Sequence, residues 1–373
     1  MPMRNSVITR RQFTHLLGAG AAAAFVRPGI GVAKTVAVPA KASSIVRLSS
    51  NENPYGPSAK ALKAMTDCFG FANRYPDEHA DGVIDAVAKL NTVSSDQILL
   101  GDGSGEILKL CADTFTGPEA GKLVAADPTF EAILTHASIG GAEVVKVPLT
   151  SSFAHDLGSM KAATKGGLVY ICNPNNPTAS ITPKNDLREF IGSSSPETII
   201  LVDEAYFHYA DSSEYESVIP LVKDHPNLIV ARTFSKVYGM AGLRCGYCIA
   251  QKPLIDRLRQ RQPWDSVNCM ALAAANASLG DADQVTNGRR LNADARKFVV
   301  SELTKLGHES IPSDANFIMF DCKRPVVPLI SAMKERNVEV GRLFPALPNH
   351  MRLTVGKKSE MDSFLSAFKQ VMA

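Results

Sequence analysis

The sequence has 373 residues, of which 45% are hydrophobic and 21% are charged. This length and composition are typical of a folded protein with one large and one smaller domain, and they exclude a disordered or collagen-like chain. Six of the 40 basic residues and none of the 37 acidic residues lie in residues 1–42, so the remainder carries a net charge of −3 and offers no basic surface for nucleic acid.

The first predicted element is a targeting segment at residues 1–42. Thr9–Phe13 contains a pair of arginines, a run of eleven small and apolar residues follows at Leu16–Val26, and Ala40–Ala42 provides a small-residue cleavage site. This order resembles a twin-arginine signal peptide, and the run is too short to span a bilayer. The alternative is an alanine-rich helix that follows arginines by chance. A functional signal predicts an exported, periplasmic protein without a stable membrane anchor, and otherwise the protein is cytoplasmic.

Residues 43–75 are irregular, and we assign them to the smaller domain. Residues 76–284 form the predicted large domain, in which aliphatic segments alternate with helical or loop segments. Strands that are buried on both faces and joined by crossovers form a mostly parallel sheet, so the predicted fold class is α/β. The predicted strands are Gln97–Leu100, Lys122–Ala126, Glu143–Val147, Leu168–Cys172, Ile199–Val202, Leu228–Ala231 and Gly246–Ala250.

Residues 285–373 have a different pattern, which predicts a compact α+β unit. Together with residues 43–75, this unit forms the predicted smaller domain. Its predicted elements are a helix at Arg289–Leu306, a strand at Phe317–Phe320, a helix at Leu329–Arg336, a strand at Met351–Val355 and a final helix.

Two motifs that follow predicted strands favour ligand binding through the backbone and amide side chains. Gly103–Glu106 lies between a strand and a helix, where free backbone N–H groups suit an anion. Asn173–Thr178 contains two prolines and three asparagines and places amide side chains at the sheet edge. Each motif alone is also typical of an ordinary turn or a rigid loop.

Two further motifs carry charged side chains. Asp203 ends an apolar strand, where a carboxylate needs a cationic partner. Thr233–Lys236, with Arg244 eight residues later, suits a phosphate beside a reactive amine. All four motifs follow strand ends, which is where open α/β sheets bind their ligands.

In this order and spacing, the motifs resemble the fold-type-I pyridoxal-phosphate (PLP) aminotransferases, and most of all the histidinol-phosphate aminotransferase subgroup. The resemblance implies a large domain with a mostly parallel sheet, a smaller α+β domain and PLP as the cofactor, with no metal. It implies transfer of an amino group from an amino acid, or from a histidinol-phosphate-like amine, to a 2-oxo acid. It runs from about residue 45 to the end and is carried by Asn51–Pro54, Arg74–Pro76, Asn173–Thr178, Asp203–Tyr206, residues 233–244 and Met351–Gly356.

The resemblance also implies a role for each residue of the cofactor site. Lys236 forms a Schiff base with PLP and moves a proton between the substrate Cα and the cofactor. Asp203 pairs with the ring nitrogen, and Asn176 and Tyr206 hydrogen-bond the phenolic oxygen. Phe130, where the family usually has tyrosine, stacks on the ring. The phosphate is bound by the amides of Ser104 and Gly105 and by Thr233, Ser235 and Arg244.

Further implied roles concern the substrate and a second subunit. Arg352 binds the substrate α-carboxylate through its two-pronged guanidinium, and Asn316 lies near it. Tyr75 contacts a phosphate in the neighbouring subunit, which implies a homodimer with shared active sites. Arg342 either contacts the substrate side chain or forms a surface ion pair.

The chain departs from the family pattern at Ala179, where glycine is usual, and at Gly105, where aspartate is frequent. PLP-dependent decarboxylases and C–S or C–N lyases share these motifs and remain alternative reactions. A non-enzymatic binding protein is a third hypothesis, which the intact set of Lys236, Asp203 and Arg352 disfavours. The export signal argues against histidinol phosphate as the donor, because that compound is a cytoplasmic intermediate.

Overall fold

The structure, a computed structural model, describes residues 45–373. The predicted twin-arginine segment at residues 1–42 lies outside the described residues. None of the helices within residues 45–373 is long and apolar enough to cross a membrane.

The centre of the fold is a seven-stranded sheet in the order β2-β8-β7-β6-β5-β3-β4. Strand β8 runs antiparallel to both of its neighbours, and the other adjacent pairs are parallel. The predicted α/β class with a mostly parallel sheet is therefore confirmed. The strands of this sheet are β2 (Ile98–Gly101), β3 (Leu123–Asp127), β4 (Val144–Pro148), β5 (Gly167–Cys172), β6 (Thr198–Asp203), β7 (Leu228–Thr233) and β8 (Gly246–Ala250).

The three central strands, β5, β6 and β7, are buried along their whole length. Successive residues of a strand point to opposite faces, so each strand contributes to two apolar cores. Val202 packs into the core on one face, and Tyr170 and Leu201 pack into the core on the other. This alternation also fixes the direction in which the side chains at the strand ends point.

Helices cover both faces of the sheet. Helix α3 begins at Gly103, directly after β2, and buries an apolar stripe that includes Ile107, Leu108 and Cys111. The helices are α1 (Ala59–Cys68), α2 (Asp77–Asn91), α3 (Gly103–Phe115), α4 (Ala132–Ile139), α5 (Leu157–Ala163), α6 (Lys184–Ser193), α7 (Lys252–Arg259), α8 (Cys269–Leu279), α9 (Ala282–Lys305), α10 (Val326–Glu335) and α11 (Lys358–Met372).

The C-terminal part has its own core, built around aromatic side chains such as Phe320, Phe364 and Phe368. The first strand, β1 (Val46–Leu48), pairs in parallel with β10 (Val338–Val340), so the start of the described chain packs with its end. Helix α9 crosses the predicted boundary between residues 284 and 285, and the domain limits stay a prediction. The remaining strands, β9 (Phe317–Asp321) and β11 (His350–Thr354), form an antiparallel pair.

Candidate active site

A cavity of about 240 Å³ lies at the carboxyl ends of the central strands. Eleven of the fourteen residues predicted for the site line it, because the loops after β5, β6 and β7 meet the start of α3 there. The residues brought together are Ser104, Gly105, Phe130, Asn176, Asp203, Tyr206, Thr233, Ser235, Lys236, Arg244 and Arg352.

Lys236 follows β7 and is partly buried in the cavity wall. Its Nζ donates a hydrogen bond to the backbone carbonyl of Asn51 at 3.1 Å and lies 5.3 Å from the centre of the Tyr206 ring. Burial and, to a smaller extent, Arg352 lower the pKa of Lys236 to about 8, and Asp203 opposes the shift. A lysine with this pKa has a substantial neutral fraction near pH 7–8, and the neutral amine is the nucleophilic form.

Asp203 ends β6 and is only 2% exposed. Its two oxygens accept hydrogen bonds from the hydroxyl of Tyr170 at 2.9 Å and from the backbone N–H of Ala205 at 3.1 Å. Burial raises the pKa of Asp203 to about 6, and these two hydrogen bonds and Lys236 limit the rise. The carboxylate is therefore suited to a protonated partner within the cavity.

Three amide and hydroxyl side chains form a network between Asp203 and Arg352. The hydroxyl of Tyr206 accepts a hydrogen bond from Nδ2 of Asn51 at 3.1 Å and from Nδ2 of Asn176 at 3.5 Å. The Tyr206 ring packs edge-on against Phe317. These contacts hold the Tyr206 hydroxyl at the cavity surface, where it can donate its own proton to a ligand oxygen.

The start of α3 and Arg244 form one end of the cavity, and both suit an anion. The side chain of Asp102 makes no capping bond to α3, so the amides of its first turn remain available. A Cβ on Gly103 would lie 2.2 Å from Nη2 of Arg244, so only glycine lets this guanidinium approach the turn. Thr233 donates to Ser235 at 2.9 Å beside it. A helix start, a guanidinium and two hydroxyls are a donor set that fits a phosphate group.

Arg352, on β11, also lines the cavity and is mostly buried. It donates to the carbonyl of Ser49 at 2.6 Å and to Oδ1 of Asn176 at 2.7 Å. Its Nε has no hydrogen-bond partner within residues 45–373, and neither has Oδ1 of Asn316. A buried guanidinium with spare donors suits a carboxylate ligand.

Three predicted residues do not line this cavity. The Nδ2 of Asn316 donates to the carbonyl of Asn51 at 3.0 Å, behind the wall. Arg342 pairs with Glu131 and lies over the ring of Phe344, an arrangement that corresponds to the ion-pair alternative. Tyr75 is 81% exposed.

Asn51 and Tyr170, for which the sequence predicts no role, contact the site residues Tyr206 and Asp203. Asn51 has a φ of +56°, and asparagine is among the few residues that adopt this conformation readily. This backbone turn points its carbonyl at Lys236 and its side chain at Tyr206. The signal for Tyr170 was a hydroxyl inside an aliphatic strand, because a buried tyrosine usually needs a hydrogen-bond partner.

Comparisons with known proteins agree with this geometry. The family model described as "Aminotransferase class I and II" matches residues 43–368. The chain is 36% identical to a histidinol-phosphate aminotransferase of Symbiobacterium thermophilum, over 88% of this chain and 91% of that protein. Among solved structures, a putative histidinol-phosphate aminotransferase of Erwinia carotovora atroseptica has a TM-score of 0.85 and 30% identity, covering 87% of this chain and 95% of that one.

A second solved structure is similar to this chain and contains the cofactor. It is a histidinol-phosphate aminotransferase of Sinorhizobium meliloti in complex with pyridoxal-5'-phosphate, with a TM-score of 0.81 and 26% identity. The similarity covers 88% of this chain and 91% of that one. The groups that line the cavity fit this compound, because they include the amine of Lys236, the carboxylate of Asp203 and the anion site at the start of α3.

Proposed function

The chain belongs to the class I and II aminotransferase family and is a PLP-dependent aminotransferase, and from this premise we propose how its own residues perform the reaction. The observation that carries the proposal is the single cavity that joins Lys236 and Asp203 to an anion site at Arg244 and a carboxylate site at Arg352. A substrate carboxylate at Arg352 and a phosphate at Arg244 would both lie in the cavity that Lys236 lines. This arrangement suits an amino acid that reacts at its Cα.

PLP supplies an electron sink that stabilises negative charge on the substrate Cα. Lys236 holds the cofactor covalently and then takes and returns the Cα proton, and its lowered pKa supports both tasks. Asp203 keeps the ring nitrogen protonated, and Tyr206 and Asn176 donate to the phenolic oxygen. Phe130, which lines the cavity, would pack against the ring.

Two anchors fix the orientation of the substrate in this proposal. The amides of Ser104 and Gly105, with Thr233, Ser235 and Arg244, bind the cofactor phosphate. Arg352 binds the substrate α-carboxylate in this proposal, since its mostly buried guanidinium lines the cavity beside Lys236. Asn316 supports this wall through its hydrogen bonds to the carbonyls of Asn51 and Glu52.

We propose an α-amino acid as the amino donor and a 2-oxo acid as the acceptor. The relatives' names favour histidinol phosphate as a second candidate. Arg352 supports an α-carboxylate, and Arg342, whose charge is paired with that of Glu131, gives less support to a phosphate on the donor. The two candidates differ in the charged group that the outer part of the cavity must bind.

The test is the visible absorption of the PLP-loaded enzyme during the addition of single amino acids, histidinol phosphate and then a 2-oxo acid. A donor bleaches the band of the lysine-bound cofactor, and the oxo acid restores it. Loss of the band with release of CO2 or ammonia, and without recovery, would support the decarboxylase or lyase alternative. Bleaching by histidinol phosphate alone would overturn the proposed donor class.

We also propose a homodimer in which Tyr75 completes the partner's phosphate site. Tyr75 and Trp264 are 81% and 94% exposed, and Phe69 and Phe71 are 63% and 55% exposed. Aromatic residues are enriched at protein interfaces, so these exposed side chains support a contact surface on this protein. Mixed Y75A and K236A subunits test the idea, because a hybrid dimer regains one intact site. Mixtures that stay inactive although sedimentation shows hybrid dimers would contradict a shared site.

For residues 1–42 we propose export by the twin-arginine route. The family match begins at residue 43, directly after this segment. The test is a fusion of residues 1–42 to a reporter that is active only after export, compared with the same fusion carrying R10K and R11K. Export of both fusions to the same extent would reject the twin-arginine route.

A further inference from the structure

Tyr170 is a buried tyrosine in the centre of the sheet, below the proposed cofactor site. It lies in β5 with 0% exposure, between aliphatic neighbours. Its hydroxyl donates a hydrogen bond of 2.9 Å to Oδ2 of Asp203. Burial raises the pKa of Tyr170 well above its usual value, so the phenol stays protonated and can act as a donor at any physiological pH.

The strand register explains why this hydroxyl reaches Asp203. Strands β5 and β6 are parallel, with Cys172 opposite Asp203 and Tyr170 opposite Leu201. Residues two apart in a strand point to the same face, so Tyr170 and Asp203 are diagonal neighbours on one face. A tyrosine side chain is long enough to bridge that distance, whereas an aliphatic side chain there cannot make a hydrogen bond.

The two hydrogen bonds to Asp203 hold both of its oxygens from the protein side. The hydroxyl of Tyr170 binds Oδ2, and the N–H of Ala205 binds Oδ1. A carboxylate held in this way cannot rotate without losing a bond, and its remaining acceptor capacity serves the cavity that it lines.

We infer that Tyr170 is a positioning residue for transamination: it holds the Asp203 carboxylate as an oriented anion at the cavity surface, where it would pair with the ring nitrogen of the cofactor. This inference rests on the proposed role of Asp203. Among the contacts that lower the pKa of Asp203, the hydrogen bond from Tyr170 is the largest. Without it the carboxyl takes a larger share of the proton that it shares with the ring nitrogen, and the ring becomes a weaker electron sink.

The experiment compares Y170F with a matched control, Y215F. Tyr215 is a partly buried tyrosine whose hydroxyl is shielded from water and has no hydrogen-bond partner within the described residues. A hydrogen bond to a charged group is strong enough that its loss changes an equilibrium or a rate by about 10-fold or more. We expect Y170F to lower kcat and to raise the Kd for PLP by about 10-fold each. The KM for the donor stays within about 2-fold, since Tyr170 touches no substrate, and Y215F resembles the wild type.

A double-mutant cycle with D203N separates positioning from general packing. If Tyr170 acts through Asp203, adding Y170F to D203N changes kcat and the Kd for PLP by less than about 2-fold. A full Y170F effect on the D203N background would overturn the inference, and so would a Y170F enzyme with wild-type kcat and Kd. If D203N itself binds PLP and turns over like the wild type, the proposed role of Asp203 fails, and this outcome is distinct from failure of Tyr170 alone. Thermal unfolding of the cofactor-free variants verifies that each one is folded.

Discussion

Asp203, at the inner end of the cavity, is 2% exposed and bonded on both oxygens, whereas Phe130, at the outer rim, is 38% exposed. Beyond that rim, the ion pair of Arg342 and Glu131 has about half of each side chain in water. The inner end is held by the register of buried strands and leaves little freedom to its side chains. The outer end is the part that a substrate side chain can rearrange.

This difference separates the chemistry shared by a family from the specificity of one member. Groups that act on the cofactor need fixed positions, because a misplacement of about 1 Å costs a large part of the rate. Groups that select the side chain of the donor need only complementary shape and charge. Substitutions at the inner end should therefore affect all donors equally, and substitutions at the rim should affect some donors more than others.

The largest effect is expected for K236A. Removal of the amine deletes both covalent attachment and proton transfer, so we expect kcat to fall by about 10⁴-fold or more with every donor. Methylamine in the buffer should restore part of the activity. Borohydride reduction followed by mass spectrometry should find the cofactor fixed to the wild-type protein and not to K236A. The control is K63A, at an exposed lysine of α1. If K236A keeps activity within 10-fold of this control, the amine that binds the cofactor belongs to another residue.

R352K should give the next largest effect, and it separates donors by chemistry. Lysine keeps the charge but loses the planar two-pronged geometry, and the bonds to Asn176 and Ser49 cannot both be kept. We expect kcat/KM to fall by about 100-fold for α-amino acids. Amines without an α-carboxylate should lose much less. An equal loss for both donor classes would mean that Arg352 serves the fold and not the carboxylate.

The pH dependence of cofactor capture tests the environment of Lys236. Its pKa of about 8 lies below the usual value because burial and Arg352 disfavour the ammonium form, while Asp203 and Glu52 oppose this and Arg244 adds to it. Since the neutral amine reacts, the rate at which the cofactor-free enzyme captures PLP should rise by about 10-fold between pH 7 and pH 9 and then level off. The rate at which an N-acetyl-lysine amide captures PLP should still be rising at pH 9, because its amine has the ordinary lysine pKa. A protein curve that matches this amide would show that burial does not lower the pKa.

The inner end was readable from sequence because its signals are local. Asp203 ends an aliphatic run, and Lys236 follows another run among small hydroxyl residues, so the strand pattern alone brings them to one sheet edge. The bond between Tyr170 and Asp203 was not readable, because it depends on the register of β5 against β6. Asn51 was missed for a related reason: its backbone N–H donates to the hydroxyl of Thr354, which lies 303 residues away in the sequence.

Helix limits were less readable than strands. Helix α9 begins at Ala282, two turns before the predicted Arg289. The prediction started too late because the first two turns are mostly polar and contain Gly288. Such residues show no apolar periodicity, and their helical state depends on the packing of neighbouring elements. Helix α10 begins at Val326, three residues before the predicted start, directly after Pro325. Arg342 pairs with Glu131, which lies 211 residues away in the sequence. The sequence therefore left the role of Arg342 open between a substrate contact and a surface ion pair.

The smallest effect is expected for E131Q, and it acts only at the rim. Half-exposed ion pairs contribute about 0–1 kcal/mol to stability, so the stability of E131Q should change little. Its kcat with a donor that has an uncharged side chain should also change little. Loss of the carboxylate leaves Arg342 unpaired, so kcat/KM for donors with a phosphate or a second carboxylate should rise by about 3-fold to 5-fold. The rise should disappear in the double variant E131Q/R342Q and at high salt, because it depends on one exposed charge. A uniform change across neutral and anionic donors would place this pair outside the path of the substrate side chain, and specificity would then have to come from elsewhere on the rim.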